Sequence, residues 1–126
     1  MVARHQTSKM SLEMKRKRIY ISIPISGHDL EEVKEKARNI REWVLWDEFG
    51  FEKGWHRPDV ITPFDVCPEP DKPYSYYMGK DIEALLECDA IYLCEGWQNS
   101  KGCMAEFRGA KVIIKIEITM IKPFIY

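Results

Sequence analysis

Cys88-Asp89-Ala90-Ile91-Tyr92-Leu93-Cys94 is a nearly continuous apolar run of strand length. Runs of this kind suit a parallel strand buried on both faces. Just upstream, Tyr74 to Glu87 carries Tyr74, Met78, Ile82 and Leu85 at helical spacing, which predicts a helix. Just downstream, residues 95–102 read as a loop, and a further helix is expected from about Cys103. Nearer the start, Arg18-Ile19-Tyr20-Ile21-Ser22-Ile23 is short, β-branched and aromatic, and reads as a strand. Pro24 to Gly27 has turn residues, and Asp29 followed by Glu32 looks like a capped helix start. Leu30, Val33, Ala37, Ile40 and Val44 then predict an amphipathic helix ending near Phe49 and Gly50.

Asp59 to Pro63 is a short strand candidate, and Phe64 to Pro73 reads as a proline-rich loop long enough to cover a site. The end of the chain has two readings. Val112 to Ile118 is β-branched, which favours a strand. Cys103, Phe107, Ala110, Ile113, Ile114 and Ile118 also form a helical stripe, with Lys122 to Tyr126 then the last strand. Helix followed by strand is the preferred reading. The alternating order predicts a single α/β domain over 18–126, with a parallel sheet of four to five strands flanked by helices. Ligands in such sheets bind beyond the carboxyl ends of the strands, which confines the search to loops 24–28, 63–73 and 95–102.

The 126 residues suffice for one domain, and 45% of them are hydrophobic. With 31% charged residues of mixed sign and a formal net charge of −1, a wholly disordered chain, a collagen-like chain and a strongly basic nucleic-acid binder are excluded. The basic residues crowd the start, where Arg4, Lys9 and Lys15 to Arg18 face only Glu13. Residues 1–17 are therefore expected to be a basic, disordered tail, either a solvated leader or a nucleic-acid arm. No run approaches the length of a membrane span, and no secretory signal is visible. Cys67, Cys88, Cys94 and Cys103 form no C-x-x-C pair and lie away from His5, His28 and His56. Free thiols in a cytoplasmic protein, with no metal site, are the expectation.

Two acids break the apolar pattern. Asp81 lies about 60° from Met78 and about 40° from Leu85 around the second helix, where it is either a boundary acid or a functional carboxylate. Glu106 falls near the first turn of the third helix, where acids are favoured for helix stability alone. Its functional reading is an ionised carboxylate facing a cleft, as nucleophile or as partner of a developing cation. Ser100 is a natural N-cap before that helix, and Gly102 lets a ligand approach closely. Tyr20 and Trp97 are candidates for contact with a planar ligand.

In combination these segments carry a resemblance. Ile19 to Gly27, Tyr77 to Ile82, and Cys88 to Trp97 followed by Ser100 to Glu106 resemble the strand, helix and loop signatures of the nucleoside 2-deoxyribosyltransferase-like superfamily. The Gly96-Trp97-x-x-Ser100-x-Gly102 loop looks closest to a small branch of it, the domain of unknown function DUF4406. The resemblance implies a flavodoxin- or Rossmann-like fold and cleavage or exchange of the N-glycosidic bond of a deoxynucleoside or its 5′-monophosphate. It implies Glu106 as nucleophile, Asp81 as the acid that helps the leaving base or holds the sugar, and Tyr20 as the residue positioning them. Ser100 would take a 5′-phosphate, and Ser26, Gly27, Gly102 and Trp97 would complete the substrate site. No metal or organic cofactor is implied, and the partners are a small nucleoside or nucleotide and further copies of the chain, not nucleic acid or membrane. Two positions depart from the pattern: Ile23 stands where the superfamily has Gly, and Ser26 where its nucleotide-hydrolysing branch has Arg. A non-catalytic nucleotide-binding module on the same fold is the competing expectation.

Overall fold

The computed structural model describes residues 17–45, 58–112 and 116–120. The elements are β1 (Arg18–Ser22), α1 (Leu30–Trp43), β2 (Asp59–Ile61), α2 (Pro63–Val66), α3 (Tyr74–Leu86), β3 (Ala90–Leu93), α4 (Lys101–Val112) and β4 (Glu117–Met120). A 3-10 turn over Trp97–Asn99 leads into α4. The strands lie in the order β2-β1-β3-β4, and each neighbouring pair is parallel.

Alternation along the strands assigns their side chains to two faces. Ile19, Ile21 and Ile23 of the β1 segment, with Ala90, Tyr92 and Cys94 of the β3 segment, pack on Val33, Ala37, Ile40 and Val44 of the α1 segment. Tyr20, Ile91 and Leu93 pack on the other face against Leu85 of α3 and Ala110 of α4. The sheet is therefore covered by α1 on one side and by α3 and α4 on the other. Because β3 is buried on both faces, it must be apolar at successive positions, and it is.

Local chemistry sets the boundaries. Asp29 caps α1, its Oδ2 accepting from the Glu32 amide at 3.1 Å. Thr62 and Asp65 cap α2 reciprocally, so the first residues of the expected 64–73 loop are a short helix instead. Gly27 (φ +83°) and Gly96 (φ +85°) turn the chain after β1 and β3 in the left-handed region that disfavours a Cβ.

The preferred order of helix followed by strand holds in the C-terminal segment, and its bounds are corrected: the helix is Lys101–Val112 and the strand Glu117–Met120, so Ile118 belongs to the strand and not to the helical stripe. The expected end of α1 near residues 49–50, the tail over 1–16 and the strand at 122–126 lie outside the described residues. Among the described residues no helix is long and apolar enough to cross a membrane.

Leu85 is fully buried between α3 and the sheet. Leu85→Ala is expected to cost about 2–5 kcal/mol in chemical denaturation. Leu30→Ala, at a position 48% exposed, is expected to change stability by less than about 0.5 kcal/mol.

Candidate active site

The chain leaves β1 for β2 on one side and returns through α3 to β3 on the other. The strand order therefore reverses between β1 and β3, which opens a crevice at their carboxyl ends. A cleft of about 940 Å³ lies there. Its walls are the loop after β1 (Pro24, Ser26, His28), the loop after β3 (Glu95, Gly96, Asn99) and the starts of α1, α3 and α4. A cavity of about 60 Å³ adjoins it and reaches Glu106. Ile23, Ser26, Tyr74 and Ser100 line both spaces.

Glu106 sits in the second turn of α4, because that helix begins at Lys101 rather than Cys103. It shares the buried stripe with Cys103 and Ala110 and is only 4% exposed. The helix-stability explanation for this acid is thereby removed: its carboxyl points at the sheet, not at the helix end. Tyr20 donates its hydroxyl to Oε2, and Ser22 donates to Oε1 at 2.6 Å. Both donors come from one face of β1 at alternate positions, so a single strand grips both carboxylate oxygens.

Burial raises the Glu106 pKa to about 7; the Ser22 and Tyr20 hydrogen bonds act against that rise, and the charge of Asp81 adds to it. Tyr20 is pushed well above its ordinary value by burial and then by the Glu106 charge, so it stays protonated and remains a donor.

Asp81 is 7% exposed on the inner face of α3, and its Oδ1 has no hydrogen-bond partner among the described residues. The boundary-acid reading is thus overturned. The buried stripe of α3 runs through Asp81 and Leu85, while Tyr74 is 55% exposed. Burial alone raises Asp81 to about 7. Its charge acts on Glu106, Tyr20 and Cys67, which places it within the same electrostatic unit. It lines neither the cleft nor the small cavity.

The other expected site residues divide. Ser100 caps α4, its Oγ accepting from the Cys103 amide at 3.2 Å, and it lines both spaces. Ser26 lines both, and Gly102 lines the small cavity. A Cβ on Gly102 would find ordinary contacts of 3.7–3.9 Å with Tyr74, Met78 and Ser100, so glycine there widens the cavity rather than relieving a clash. Gly27 serves the turn and lines neither space. Trp97 packs its ring on Phe107 at 4.8 Å and against the core under α4, and it lines neither space. Ser22 and Tyr74 are the residues missed. Ser22 had a legible signal, a polar residue two positions after Tyr20 and set between Ile21 and Ile23.

Residues 17–120 match a protein family described as Domain of unknown function (DUF4406). The chain belongs to this family. Comparison with curated proteins and comparison with solved structures each return no match. The family match spans the whole site, from β1 through Glu106 to β4. The four cysteines are free and buried, and among the described residues no group of three or more His, Cys, Asp or Glu is placed to hold a metal ion.

The two buried acids make a stability prediction. Their ordinary values of 3.8 and 4.5 rise to about 7 in the folded chain. Between pH 4 and 7 the folded state thus holds protons that the unfolded state releases, so stability falls as pH rises through this window. Asp81→Asn is expected to raise the melting temperature at pH 8 by about 5 °C or more, with the gain vanishing near pH 4. Thermal unfolding across pH checks it.

Proposed function

We propose that this chain cleaves, or exchanges the base across, the N-glycosidic bond of a deoxynucleoside or its 5′-monophosphate, with Glu106 as the nucleophile. One observation carries the reading: a carboxyl held by two hydroxyls at the inner end of a cleft at the sheet's switch point. Glycosidic cleavage develops positive charge at the anomeric carbon, and a fixed carboxylate stabilises that charge. The likeness of the β1, α3 and α4 segments to the deoxyribosyltransferase-like superfamily and its flavodoxin-like fold supports the same assignment.

An ionised Glu106 oxygen bonds to C1′ as the C1′–N bond breaks, and the bonding pair leaves with the base, which takes a proton from solvent. Water or a second base then attacks C1′ and gives up a proton to solvent as the bond between C1′ and the Glu106 oxygen breaks, which releases the sugar or the new nucleoside and frees Glu106. Tyr20 and Ser22 hold the carboxylate in one rotamer through both steps. Both acids stand near 7, so either can carry a proton at neutral pH. A proton residing on Asp81 removes the charge that opposes ionisation of Glu106. Asp81 thus acts through Glu106. Ser100, at the capped start of α4 and on both linings, is suited to a 5′-phosphate. A second copy of the chain completing the open side of the cleft belongs to the same reading.

One observation favours a binding module instead. Ile23 lines both the cleft and the small cavity, and its branched side chain narrows the passage to Glu106. In that reading the cleft holds an intact nucleotide.

Incubation of the purified protein with a panel of deoxynucleosides and their 5′-monophosphates, followed by mass spectrometry, separates the two. Base release is expected, and Glu106→Ala is expected to lower it by at least about 1000-fold while the fold is retained. Tight binding with intact ligand, or equal release by Glu106→Ala, overturns the nucleophile assignment.

A further inference from the structure

We propose that Tyr74 is the platform that recognises the nucleobase, its ring face against the base and its hydroxyl at a ring edge. The inference rests on the reading of the cleft as a deoxynucleoside or deoxynucleotide site and adds the residue that would sense the base within it.

Tyr74 is the first residue of α3, directly after Pro73, so its backbone is fixed at a helix start. In the sequence it reads as the first member of a helical stripe with Met78, Ile82 and Leu85. The structure turns that stripe inward at Asp81 and Leu85 instead and leaves the Tyr74 side chain 55% exposed. It is the aromatic residue that lines both the wide cleft and the cavity at Glu106. Its hydroxyl has no hydrogen-bond partner among the described residues, and it lies 3.7 Å from the position a Cβ on Gly102 would take. Tyr74 and Gly102 therefore flank the passage between the two spaces.

A ligand whose reacting carbon meets Glu106 must extend through this passage into the cleft. The groups able to attract a phosphate lie on other elements: Lys36 on α1, His28 before it, and Ser100 with Lys101 at the start of α4. Tyr74, uncharged and flat, offers what a base rather than a phosphate uses, a π face and a single hydrogen-bonding group. Trp97, the other aromatic expected to stack, is occupied by Phe107.

The test is equilibrium binding by calorimetry in a Glu106→Gln background, so that no ligand is consumed. The probes are deoxyadenosine 5′-monophosphate, thymidine 5′-monophosphate and 2-deoxyribose 5-phosphate, which has no base. Tyr74→Ala is expected to weaken both nucleotides about 5- to 100-fold, the range found when an aromatic platform under a base is removed. It is expected to leave 2-deoxyribose 5-phosphate unchanged. Tyr74→Leu, which keeps bulk without a π face, should behave as Tyr74→Ala, and Tyr74→Phe should retain most of the affinity. Equal weakening of all three probes, no weakening of the nucleotides, or no nucleotide binding before Tyr74 is altered overturns the proposal. Base release by the unaltered protein is assayed in parallel. Release together with unchanged nucleotide affinity in Tyr74→Ala removes Tyr74 and leaves the reaction standing; base-selective loss without release supports Tyr74 and removes the reaction.

Discussion

The grip of two β1 hydroxyls on one buried carboxylate is the contact on which the rest of this structure's chemistry depends. Tyr20 and Ser22 meet Glu106 because strand geometry sends alternate residues to the same face, and because α4 lies on that face. Shifting β1 by one residue would turn both hydroxyls toward α1 and leave Glu106 without partners. The apolar residues at 19, 21 and 23 guard against that slip, since they need the α1 side. The same hydrophobic pattern that builds the core thus also fixes the site.

Two opposing terms act on the carboxylate. Removal from water disfavours its charge, and the two hydroxyl donors favour it. Burial prevails and lifts the group to about 7. Asp81, whose Oδ1 has no hydrogen-bond partner among the described residues, is raised by burial alone. Such a pair destabilises the fold above neutral pH, and a core of purely apolar side chains would avoid that cost. Buried acids with raised values gather at functional sites more often than elsewhere. Their position beside the switch-point cleft gives that association a concrete geometry.

Much of this arrangement was legible in the residues. The β-branched runs at 18–23 and 88–94, alternating with helical stripes, led to a parallel α/β sheet with its crevice after β1 and β3. Glu106 and Asp81 stood out as acids where apolar residues pack better. What remained hidden depended on how elements rotate against each other. A period of 3.6 marks an apolar stripe without fixing which of its edges turns inward, so Asp81 looked like a margin and Tyr74 like core. Trp97 in a glycine-containing loop looked available, yet Phe107, ten residues further on, takes its ring. Ser22 shares a strand face with Tyr20, and that pairing points to a site only once Glu106 is seen to face the same strand. Residues 112–120 misled in a different way, since β-branched side chains can satisfy either a helical stripe or a strand until a neighbouring strand is present to pair.

The most direct measurement of the central claim is a carboxyl 13C NMR titration of Glu106 in the folded protein. The account predicts a midpoint near 7 that moves downward in Asp81→Asn, because removing the neighbouring charge leaves the two hydroxyl donors less opposed. A midpoint near 4.5, unchanged by that substitution, would mean a solvated acid independent of Asp81 and would contradict the account.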